Sequence, residues 1–141
     1  MEQMELDISQ VLKLLEKRYA SILEIARLTR ELEDALGRDD RASALLTLQM
    51  RADEMAKADE YMEEIWRMGE SNAQNLQKLH WLFRTDPSAA SEEGKEEKAE
   101  KAVYSLREKI CQMVERLQAS DKRLSQRVAG LKSYYGTTIK I

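Results

Sequence analysis

Apolar residues recur three and four apart through most of the chain, and they fall into three runs. In the first, from about residue 4 to 36, Ile8, Val11, Leu12, Leu15, Tyr19, Ile22, Leu23 and Ala26 trace one face of a helix. Ile25, Leu28, Leu32, Ala35 and Leu36 continue it on a rotated stripe, which predicts a helix with neighbours on two sides. Gly37 stands where a helix stop is expected, and Asp39 or Asp40 where the next helix needs a start cap. So short a connection predicts that the first two helices are antiparallel neighbours.

The second run, about 40–84, is the most regular. Leu45, Leu48, Ala52, Met55, Ala58, Met62, Ile65, Gly69, Ala73, Leu76, Leu79 and Phe83 step by three or four throughout. Asp53 with Lys57 and Glu63 with Arg67 are acid-before-base pairs one turn apart on its flanks. Unbroken, this helix would be ~65 Å long at 1.5 Å per residue. Gly69 lies on the stripe at a propensity cost of about 1 kcal/mol. It either permits close helix packing or marks a kink, with Ser71 or Asn72 recapping the chain. Asp86-Pro87 then ends the run, because a residue before proline is pushed out of the α region.

The stretch "SAASEEGKEEK" has no apolar stripe, and residues 86–95 read as a flexible linker. A third run, about 95–135, carries Val103, Leu106, Ile110, Met113, Leu117, Leu124, Val128, Leu131 and Tyr135. Its stripe is interrupted at Ser120 and Asp121, where an apolar residue is expected, so its second half is thinner than its first. Lys122, Arg123, Arg127 and Lys132 suit the negative end of a helix. In the closing "LKSYYGTTIKI", helical phase puts Tyr135 on the stripe, with Gly136 as the stop, and Tyr134 about 100° away as an exposed contact with Ile139 and Ile141 as companions. The expected fold is all-α: a single domain over 1–141, an elongated antiparallel three-helix bundle with coiled-coil-like packing.

Composition agrees with long helices: 35% of residues are charged, 43% are hydrophobic, and there are five glycines and one proline. A net charge of −3 disfavours a general nucleic-acid binder. The opening "MEQMELDISQ" lacks the basic and apolar regions of a secretory signal, and no apolar run approaches the ~20 residues a membrane helix needs. A cytoplasmic protein without membrane insertion is the expectation.

Candidate chemistry is sparse. His80 is the only histidine and Cys111 the only cysteine, too few for a zinc site, and the residue three before His80 is Gln77 rather than the glutamate a di-iron bundle uses. His80 reads as a flank residue and Cys111 as a small, partly buried apolar one. No nucleophile elbow, phosphate loop or zincin motif occurs. The expectation is a non-enzyme without cofactor or metal. What remains is surface: Met50, Tyr61 and Met68 fall away from the second helix's main stripe and form a second candidate contact patch, or else pack against the third helix.

Two stretches, "LEDALGRDDRASALLTLQMRADEM" and "LSQRVAGLKSYYG", covering about a quarter of the chain, resemble the FlgN family of flagellar type III export chaperones. The remainder is similar only in helix pattern and order. The resemblance implies a chaperone that holds hook-associated (hook–filament junction) subunits, prevents their premature assembly and delivers them to the export gate. By position it implies partner contacts at Leu117, Leu124, Val128, Leu131, Tyr134 and Tyr135. An amphipathic cargo helix completing the bundle, with the third helix partly detached, fits that role. Two readings compete with it: a self-associating coiled-coil scaffold or adaptor, a homodimer for instance, and a FliT-like filament-cap chaperone.

Overall fold

The computed structural model describes residues 6–84 and 98–135, with side chains through Phe83 in the first stretch and through Ala129 in the second. These residues form four helices: α1 (Ile8–Gly37), α2 (Arg41–Arg67), α3 (Ala73–Arg84) and α4 (Lys98–Tyr135). The described chain is therefore an all-helical bundle, but of four helices where three were expected. The linker expected at about 86–95 lies outside the described residues.

Each helix start has an identifiable cause. Asp7 caps α1 by accepting from the Gln10 amide at 3.1 Å, and Asp40 caps α2 by accepting from the Ser43 amide at 3.1 Å. Between α1 and α2 the chain closes a Schellman turn: the Asp40 amide donates to the Ala35 carbonyl at 2.8 Å, and the Asp39 amide to that of Leu36 at 3.1 Å. The left-handed residue of this turn is Asp39, at φ 56°, and not Gly37, which is still helical. Asp and Asn are the side chains that best tolerate this region.

The second run breaks after Arg67 because Gly69 and Asn72 act together. Amides of Met68, Gly69 and Glu70 turn to carbonyls three residues back, tightening the helix end. Asn72 then accepts from the Asn75 amide at 2.8 Å and starts α3. The turn is a reversal rather than a slight bend. In a continuous helix Trp66 and Phe83 would lie about 25 Å apart along the axis, yet their ring centroids are 5.8 Å apart. Gly69 is also a close-packing site: a Cβ there would meet Leu79 Cδ1 at 2.8 Å and Leu76 Cα at 3.1 Å. Both roles open to Gly69 in the sequence are thus realised at once.

α1 is the central helix, its backbone close to both α2 and α4, whereas α2 and α4 do not approach one another closely along their lengths. That is the physical meaning of the rotated stripe in the first run. α4 runs parallel to α1: its 113–120 stretch lies along Ala26–Glu33, and Leu124 and Val128 join Leu32 and Ala35. The core is divided in two. A larger cluster gathers Val11, Leu15, Ile65, Leu79, Leu82, Val103 and Tyr104, and a smaller one gathers Leu32, Ala35, Ala44, Leu48, Leu124 and Val128.

Candidate partner-binding site

α4 is held unevenly along its length. Its first half is fixed by several kinds of contact. Val103, Tyr104 and Ile110 are buried in the larger cluster. Buried Glu100 pairs with Lys78 of α3. The Tyr104 ring meets Trp81 edge-on at 5.7 Å. Arg107 donates to the Leu82 carbonyl and, at 2.9 Å, to that of Phe83, satisfying the open carbonyls at the end of α3.

Beyond Ile110 the seating of α4 is different. From Cys111 to Arg123 no side chain is fully buried. Met113, Val114 and Leu117 are half-buried, and an open groove of about 150 Å³ runs between α1 and α4, lined by Ala26, Thr29, Met113, Leu117 and Ser120 among others. Burial resumes only at Leu124 and Val128 in the smaller cluster.

Between these two apolar zones lies an ion pair that joins α2 to α4. Arg51, 1% exposed, donates from Nη2 to Asp121 Oδ1 at 2.5 Å. Arg51 Nε and Nη1 are buried and have no hydrogen-bond partner. Burial pushes the Asp121 carboxyl above the usual aspartate range, against the downward pull of Arg51. Desolvation thus outweighs Coulomb attraction, as is common for ion pairs withdrawn from water. The polar break in the third run at Asp121 is therefore half of an interhelical pair. Its other half was concealed: Leu48, Arg51, Met55 and Ala58 continue the α2 stripe at the proper spacing, but a charged residue there reads as surface. Ala52, placed on the stripe from sequence, is exposed.

The residues singled out from sequence separate into distinct surroundings. Leu117 is half-buried, while Leu124 and Val128 belong to the core in this conformation. The side chains of Leu131, Tyr134 and Tyr135 lie outside the described residues. Met50, Tyr61 and Met68 do not come together. Tyr61 and Met68 are half-buried against the larger cluster. Met50 is 41% exposed near the α1–α2 turn, beside Leu46 at 60%. Those two, with Glu31, Asp34, Arg38, Ser43 and Thr47, line an open groove of about 400 Å³.

His80 is exposed and rests on the Trp66 ring with centroids 5.2 Å apart, the flank position expected of it. Cys111 corrects its expectation: it is exposed rather than partly buried, because helical phase turns it away from the face that carries Ile110. Among the described residues no three His, Cys, Asp or Glu side chains are grouped so as to hold a metal ion, and no helix is long and apolar enough to cross a membrane. No protein-family model matches the chain, and no curated protein or solved structure matches it.

Proposed function

We propose that the protein is a non-enzymatic, cytoplasmic export chaperone of the FlgN kind, which shields an amphipathic helix of a hook-associated flagellar subunit and hands it to the export gate. The observation that carries this reading is the uneven seating of α4. A helix clamped near its start and held beyond Ile110, among the described side chains, by half-buried Met113, Val114 and Leu117, by buried Leu124 and Val128 and by an under-satisfied ion pair is a displaceable occupant. An incoming amphipathic helix takes the place of residues 111–129 on α1 and α2, anchoring through apolar residues three, four and seven apart. Leu117, Leu124 and Val128 then leave the core and become available, with Leu131, Tyr134 and Tyr135, for cargo or export-gate contacts. The class of cargo is the one the sequence resemblance implies, and the uneven seating of α4 supports the mode of binding.

The test is direct binding of the full chain to terminal helical segments of hook-associated and filament-cap subunits, with hydrogen exchange in parallel. The expected outcome is binding of a hook-junction segment, with changed protection in residues 111–129. Protection there equal to that of α2, with and without such segments, overturns the mechanism. Preferential binding of filament-cap segments moves the assignment to the FliT-like class.

A further inference from the structure

We infer that Arg51 is a specificity residue for the helix seated on α1 and α2, selecting a partner helix that carries one acidic side chain within its apolar stripe. The inference rests on the displaceable α4 proposed above and adds the chemistry of what displaces it. The seat is presently filled by Leu117, Asp121, Leu124 and Val128, an apolar–acid–apolar–apolar series at spacings of four, three and four. Arg51 is 1% exposed and belongs to α2, so its charge stays with the seat and not with the helix that fills it. When residues 111–129 lift away, that charge faces the empty seat. A wholly apolar helix would bury it without a counter-charge, which is strongly unfavourable. A helix with a carboxylate at the Asp121 position neutralises it.

The present pair is also incomplete. Asp121 engages Nη2 alone and leaves Nε and Nη1 without partners. A guanidinium accepts a carboxylate through two parallel bonds when the geometry permits. Glutamate reaches one methylene further than aspartate, so a partner helix with glutamate at this position can satisfy a second donor that the chain's own α4 does not. The partner assigned to the seat is therefore an amphipathic helix with glutamate four residues after one apolar anchor and three before the next.

The experiment uses the full chain carrying Val128→Asp, which weakens its own α4 seating, with circular dichroism to show that helicity is retained. Probes are fluorescent peptides of residues 113–129 with Asp, Glu, Asn or Leu at the position of Asp121. The Glu and Asp peptides are expected to bind, Glu the more tightly, and the Asn and Leu peptides roughly tenfold or more weakly. Adding Arg51→Met should reverse the order in favour of Leu. Equal affinity of all four peptides overturns the selectivity while leaving a displaceable α4 intact. Binding of none of them overturns both. Peptide-blocked dimerisation in light scattering, with no preference among the peptides, assigns the seat to α4 of a second copy and also overturns the proposal. If Val128→Asp unfolds the chain, Leu124→Ala serves in its place.

Discussion

At the scale of single residues, the Arg51–Asp121 pair gives the sharpest expectations. Asp121→Ala strands a buried guanidinium and should lower stability by about 3 kcal/mol, while the double change Arg51→Met with Asp121→Leu should be neutral or stabilising. Urea denaturation of wild type and the two variants decides this, and a destabilised double variant would contradict it. The pH dependence follows from the raised Asp121 carboxyl. Because the native state holds this proton more tightly than the unfolded chain, its contribution is complete below the ordinary aspartate value. It is lost as pH rises from there through the raised value. Measured against Asp121→Asn, wild type should therefore be relatively less stable above that acid window than below it. Asp40, lowered by its hydrogen bonds to Ser43, works in the opposite sense and loses its contribution as pH falls. At Asp39, with φ 56°, Asp39→Gly relieves left-handed strain and should raise stability by up to about 1 kcal/mol, seen as a higher Tm.

At the scale of elements, the turn between α2 and α3 determines the architecture. Asn72→Ala removes the α3 cap and should cost about 1 kcal/mol. Gly69→Ala meets the Leu79 side chain and, at 3.1 Å, the Leu76 backbone, so it should destabilise by about 1–3 kcal/mol although alanine favours helix. A stabilised Gly69→Ala variant in thermal melts would show that the reversal yields to a longer helix. The charged flanks of α2 matter less. Glu63 and Arg67 pair as the sequence predicts, at 3.8 Å, but Lys57 turns to Glu54 at 3.8 Å instead of Asp53. Exposed pairs of this kind contribute little, so the choice between acids one position apart leaves the fold unchanged.

At the scale of the whole molecule, a divided core predicts divided stability. The larger cluster ties α1, α2, α3 and α4 as far as Leu117 together, whereas among the described side chains the smaller one draws Leu124 and Val128 from α4. Backbone amides of residues 111–129 should thus exchange faster than those of 98–110, by a sub-global opening and not by global unfolding. Native-state hydrogen exchange under mild denaturant measures the difference. Uniform protection along α4 would mean that the helix moves as one piece or not at all.

The amino-acid sequence by itself determined that the described stretches are helical, where the first connection turns, and that α1 has two neighbours. These are consequences of local periodicity and capping chemistry, which short stretches carry within themselves. It also placed Leu124 and Val128 on an apolar face and located the polar break at Asp121. Tertiary structure alone decided what that break is for, since Arg51 and Asp121 are seventy positions apart and each taken singly resembles ordinary surface. It likewise decided that Gly69 reverses the chain, because a glycine on a stripe is compatible with a straight helix until Leu76 and Leu79 are brought against it. The choice of Asp39 over Gly37 for the left-handed position follows from where the last helical hydrogen bonds close. Met50 stays exposed beside the α1–α2 turn, while Tyr61 and Met68, further along the chain, pack against the larger core. Local pattern fixes the elements; pairing between distant charges and close approach at a side-chain-free position fix how they meet.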